Sequence, residues 1–164
     1  MGRHETHLRR RHLLPALGSI HLAREIPQWR SSDWMNALIV DDNWIVLGSS
    51  RNDDSVHLIN KSFYLSDKNN PVVFIRIEEM VPQTFAHLKY FSFRETVEVD
   101  CPHHKLRELE ETLFSGRNLD GVLLTRPVKG EAGEWSYPSP DSMGAAQLRA
   151  ACALATNKAG KVSQ

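Results

Sequence analysis

Gly48-Ser49-Ser50-Arg51-Asn52 closes the apolar run WIVLGSS at 44–50, and its residue types suit a phosphate or a ribose. Glycine lets a backbone approach a ligand, while serine and asparagine offer hydrogen bonds. If a helix capped by Asp54 or Ser55 follows, its N-terminus favours an anion. Gly48, Ser49, Ser50, Asn52 and Ser55 are therefore the candidate ligand-binding residues. An ordinary capped strand-to-helix turn carries the same residues, and that plainer reading is favoured because such turns are ubiquitous. No catalytic residue is assigned. Ser49, His57 and Asp41 assemble a triad on paper, but no G-x-S-x-G elbow supports it. Cys101, His103 and His104 would share one helical turn with no second ligand pair, so no metal site is assigned.

Ligand residues at the end of a strand need a sheet beneath them. WIVLGSS reads as a strand buried on both faces, as in a parallel sheet. Val56, Ile59 and Phe63 then read as the apolar stripe of a helix ending near Lys68-Asn69-Asn70. PVVFIRIEE at 71–79 is the clearest strand, opened by Pro71 and rich in β-branched residues. Residues 82–91 read as a short helix or turn, and Thr96–Val99 as a further short strand. Pro102, Leu106, Leu109, Leu113 and Gly116 mark a last helix. Strand, helix, strand, helix predicts an α/β fold, a small parallel sheet flanked by helices with right-handed crossovers. The expected organisation is a basic N-terminal arm at 1–12, an α/β domain at 13–125, and a flexible tail at 126–164 with an Ala-rich helix within it.

Composition narrows the partners. Lys+Arg and Asp+Glu both total 20, so net charge points to neither nucleic acid nor an anionic membrane. No apolar run is long enough to cross a bilayer. Arginines gather in the first thirty residues, which reads as a solvated basic end ahead of a transit peptide or phosphate-binding arm. Met1-Gly2 followed by Thr6 matches the loose myristoylation pattern, which is often met by accident. Two cysteines, Cys101 and Cys152, give no disulfide framework, and a reducing, cytoplasmic compartment fits.

Two family resemblances attach to these segments. LLPALGSIHLAREI, Trp34, Ser49, Ser55, PVVFIRIEE, YFSF at 90–93 and the expected helix 102–114 resemble a TIR domain over roughly residues 13–114. The resemblance implies a flavodoxin-like fold and a signalling or protein-interaction module. It would pair with another TIR-like domain or with itself, with NAD or another nucleotide as ligand and no obligatory cofactor. The Phe-Ile-Ser-Tyr-like first strand is missing. The family's catalytic glutamate would fall at Lys61, whose positive charge would repel a developing oxocarbenium ion, so NAD hydrolysis is not expected. ALIVDDNWIVLGSSRNDD is similar to the second half of a phospholipase D motif, with Asp41, Gly48, Ser49 and Asn52 at matching spacings. There the nucleophilic histidine would fall at Trp34 and the phosphate-binding lysine at Asn36, so that chemistry is missing too. The TIR-like reading is preferred because it accounts for VVFIRI. The missing strand and the Pro/Gly-rich tail also fit a truncated reading frame with no selected activity.

Overall fold

The computed structural model describes residues 34–50 and 54–162. The expected basic arm at 1–12, the segment 13–33 and Asn52 lie outside them. Six strands succeed one another: β1 (Trp44–Ser49), β2 (Ser55–Leu65), β3 (Pro71–Phe85), β4 (Leu88–Asp100), β5 (Lys105–Phe114) and β6 (Val122–Pro127). They form one sheet in chain order, every neighbouring pair antiparallel. A 3-10 turn at Gly130–Gly133 precedes a single long helix, α1 (Met143–Val162).

The parallel α/β expectation is overturned, and the connections explain why. A parallel crossover needs about a dozen residues or more, whereas an antiparallel pair closes through a tight turn. The chain between strands is short and built for turning. Ala86 (φ 54°) joins β3 to β4, His104 (φ 54°) joins β4 to β5, and Asn69 (φ 61°) sits in the β2–β3 turn. There the Asn69 N–H donates to Ser66 O and the Ser66 N–H to Asn70 O, each at 2.8 Å. WIVLGS and VVFIRI share the sheet but are not neighbours, because β2 lies between them. β1 is paired only with β2 among the described residues. Its Val46 is 52% exposed and Ile45 37%, so the strand is not buried on both faces.

Two expected helices are strands, and the helical spacing has a different cause in each. In β5 the partners step from Thr96↔Glu110 to Val97↔Glu108, leaving Leu109 as an extra residue. Leu106 and Leu113 are an odd number of residues apart, yet the bulge returns both to the same face. In β2 Val56 packs beside Trp34 and Leu58 on one face while Ile59 and Phe63 pack on the other, so burial on both faces gives the spacing of three and ordinary alternation the spacing of four.

The core lies between the sheet and α1. Ile59, Val73, Ile75, Ile77, Val97 and Val99 meet Leu148 and Ala151 of the helix. Each large side chain so buried contributes about 1.5–3 kcal/mol. Ser142 caps α1 by accepting the Ala145 N–H at 3.2 Å. Cys101, in the β4–β5 turn, is disulfide-bonded to Cys152 of α1, with Cα atoms 5.7 Å apart. This corrects the expectation of a chain without disulfides. It also weighs against a reducing compartment, where such bonds are rare.

Candidate functional site

The serine-rich corner is the β1–β2 turn. Gly48 (φ 151°) sits at a bulge in β1, beside Met143 of α1. Ser49 pairs with Val56 in the ladder. Ser50 Oγ accepts the N–H groups of Asp54 and Ser55 at 3.1 Å each and donates to the Asp54 carboxylate. Ser55 is the first residue of β2, its hydroxyl 3.4 Å from His57 Nε2. Because Ser55 opens a strand and not a helix, the helix N-terminus expected to follow this turn is not formed. Burial lowers the His57 pKa, and its Nδ1 has no hydrogen-bond partner. Asp41 accepts the Asn43 N–H at 2.8 Å, a local turn contact. His57 thus turns one ring nitrogen to Ser55 and leaves the other without an acid, so the triad drawn with Ser49 and Asp41 does not form. Among the described residues no three His, Cys, Asp or Glu side chains are grouped to hold a metal. Cys101 is in its disulfide, and His103 Nδ1 lies 2.8 Å from Asp100.

Polar chemistry gathers instead on the sheet face turned away from α1. Strand alternation places Leu58, Arg76, Arg94, Thr112 and Thr125 in one row across β2 to β6, through successive register partners. One end of this face is closed by the residues around Trp34 and by the β5–β6 loop. Arg76 Nε pairs with Glu78 Oε1 at 2.7 Å, and its Nη groups donate to Ile39 O (2.9 Å) and Asn118 Oδ1 (2.5 Å). The Asn118 N–H also donates to Glu78 at 2.7 Å. Burial still raises the Glu78 pKa against the pull of Arg76, and its Oε2 has no partner. Arg117 donates to the carbonyls of Glu79 and Met80 and lies 5.1 Å from the Trp34 ring.

The other end is closed by Glu98. Its carboxylate accepts from Ser66 (2.8 Å), Asn70 (3.0 Å) and Arg107 (2.6 Å). Burial works against this carboxylate, but those donors and the arginine charge hold its pKa below the ordinary value. Lys105 and Arg107 flank the Trp135 ring at 4.8 Å each.

Between these ends one cation is left over. Arg94 packs its guanidinium 5.5 Å from the Phe74 ring, and Tyr64 lies 6.2 Å beyond that ring and is 51% exposed. Arg94 makes no ion pair among the described residues, and its buried Nε has no hydrogen-bond partner. Buried polar groups are nearly always satisfied, so an orphan beside an exposed aromatic marks a place that can accept a ligand. The arrangement supplies cation–π contact and hydrogen-bond donors.

Sequence reading missed this site. Arg76 and Arg94 each stand in period-two alternation within apolar strands, and only the pairing of β3 with β4 makes them neighbours. The alternation itself, Val73-Phe74-Ile75-Arg76-Ile77-Glu78, was the available signal of a sheet with one polar face.

A family model, surface-adhesin protein E, matches residues 44–153, more than half of the chain. No curated protein and no solved structure matches. The matched span takes in all six strands and the part of α1 that carries Leu148, Ala151 and Cys152. This finding, with the antiparallel sheet, overturns both the TIR-like and the phospholipase D-like resemblance. With them go the signalling-module, TIR-pairing and phosphodiesterase readings. A surface-adhesin family also points to a secreted or cell-surface protein, which corrects the cytoplasmic expectation.

Proposed function

Since the chain belongs to the surface-adhesin protein E family, we propose that it is an adhesion module working outside the cytosol. It holds a partner macromolecule non-covalently on the face of its sheet turned away from α1. The observation that carries the choice of face is Arg94, a cation on an aromatic surface with no ion pair among the described residues. A carboxylate from a partner would pair with the guanidinium, and partial burial would strengthen that pair. The disulfide supports a location where such bonds persist.

Beads coated with the purified, oxidised protein test this on monolayers of animal cells under flow. The expected result is adhesion well above that of albumin-coated beads, and a loss of about fivefold or more with Arg94→Ala, as for an interface hot spot. Arg149→Ala, an exposed change on α1, across the sheet from this face, serves as the control. Adhesion no better than albumin overturns the role. Adhesion untouched by Arg94→Ala moves the contact to another face.

A further inference from the structure

A second feature meets that face only at Tyr64, where the C-terminal half of α1 passes the end of β2. Phe63, Tyr64, Leu65, Pro71 and Ala155 form a cleft of about 410 Å³, with Asn69 and Lys158 at its margin. A neighbouring hollow of about 210 Å³ shares Phe63 and Lys158 and adds Lys61, Leu154 and Asn157. The two make one elongated groove. Its origin is local. The register jump between Ile59 and Phe63 takes residues 60–62 out of the β2–β3 ladder. The Asn60 side chain stabilises the excursion by accepting the Ser62 N–H at 2.8 Å.

The groove is apolar along its walls and cationic at its waist. Lys158 Nζ lies 4.8 Å from the Phe63 ring. Neither Lys61 nor Lys158 has an ion pair among the described residues, and no Asp or Glu lines either hollow. Glu98 of β4, which reaches the nearby β2–β3 turn, is already held by Ser66, Asn70 and Arg107, and Asp67 of that turn is exposed and lines neither hollow. Binding sites for small molecules have this make-up, a largely apolar cavity with a few convergent polar groups. At about 30 Å³ for each water displaced, the larger hollow alone takes a ligand of roughly ten to fourteen non-hydrogen atoms.

We propose that this groove binds a monocarboxylate with a long aliphatic body, of the fatty-acid class. The chain lies along Phe63, Leu65 and Pro71, and the carboxylate sits between Lys158 and Lys61. A cationic amphiphile is excluded by the same two lysines. The groove shares Tyr64 with the Arg94 face but no charged residue, so the charge reversals at Lys61 and Lys158 test it without touching Arg94.

Isothermal titration of the oxidised protein tests it with decanoate, decanol and decyltrimethylammonium, each below its micelle concentration. Decanoate should bind at one site per chain, with decanol weaker and the cation weaker still. Lys61→Glu with Lys158→Glu, both at exposed positions, should weaken decanoate about tenfold or more without shifting the thermal midpoint. Ala155→Trp fills the groove and should remove binding of all three; Ala155→Ser, which leaves it open, should not. The proposal is overturned if decanoate shows no heat at about a hundredfold excess over protein, where even weak sites register. It is equally overturned if decanoate and the cation bind alike, or if the double charge reversal leaves decanoate unchanged. A chain that sediments as a dimer dissociated by Lys158→Glu, and that takes up no decanoate, would assign the groove to a second copy and also overturn it.

Discussion

Replacing Glu95 by Gln should make the protein more stable in alkali and flatten its dependence on pH. Glu95 lies on β4, opposite Glu111 of β5, with Glu108 also nearby on β5. Burial, then repulsion from Glu108 and Glu111, pushes its pKa from 4.5 up to about 8. Glu108 is pushed up to about 7, by burial first and Glu111 second, with Arg126 opposing. Among the described residues the cation paired in this cluster is Arg126, which holds Glu111 at 2.5 Å. Between the unfolded and folded pKa values the native state binds more protons, so stability falls as pH rises. It is fully present below pH 4.5 and its loss is complete above about 8. At about 1.36 kcal/mol per unit, the displacement of Glu95 corresponds to a loss on the order of 4–5 kcal/mol across that window. Glu108, half-exposed, adds to the same slope. Glutamine keeps the shape and remains uncharged, so its variant should match the native chain near pH 5 and exceed it near pH 9. Urea unfolding followed by tryptophan fluorescence at pH 5, 7 and 9 reads this directly. A native chain as stable at pH 9 as at pH 5 would refute the reasoning. So would a Glu95→Gln midpoint at pH 9 that is no higher than the native one.

Three further outcomes are expected. Reducing the Cys101–Cys152 bridge, or Cys152→Ala, opens a loop spanning a sequence separation of 51 and should cost about 4 kcal/mol; differential scanning calorimetry should show a midpoint lowered by roughly 10 °C. Glu78→Ala strands the buried Arg76 guanidinium and should cost about 3–5 kcal/mol in denaturant titrations, while the double variant Arg76→Met, Glu78→Leu should cost less than Glu78→Ala alone. Gly121→Ala puts a side chain on a left-handed residue (φ 71°) and into Ser115 Oγ, so unfolding titrations should show a loss of roughly 1–3 kcal/mol.

How much of this was readable beforehand varies by element. The strand starting at Pro71 was legible because its β-branched residues and its opening proline are local signals, and β3 begins there. The strands β2 and β5 were not. Val56, Ile59 and Phe63, like Leu106, Leu109 and Leu113, imitate a helical stripe. Spacings of three and four also arise when a bulge resets strand phase, as in β5, or when a strand is buried on both faces, as in β2, and nothing in a single sequence distinguishes these from a helix. The turn at Ala86-His87 carries none of the usual Asn-Gly or Asp-Gly signals, so the β3–β4 hairpin left no mark. Missing these turns forced a parallel sheet, and the parallel sheet placed a ligand at Ser49 and Ser50. Arg94 and the groove beside Phe63 depend on contacts between distant segments, Phe74 with Arg94 and β2 with α1. Pairing Cys101 with Cys152 likewise needed the helix laid across the sheet.

That covalent tie bears on how the molecule answers tension. A load drawn along the last helix passes at Cys152 into the β4–β5 corner, and from there into two interior strands of the sheet. Peeling the helix away would then require tearing interior ladders or breaking a sulfur–sulfur bond, whereas without the bridge only side-chain packing resists. A tether under shear would lengthen little until the whole sheet gave way at once.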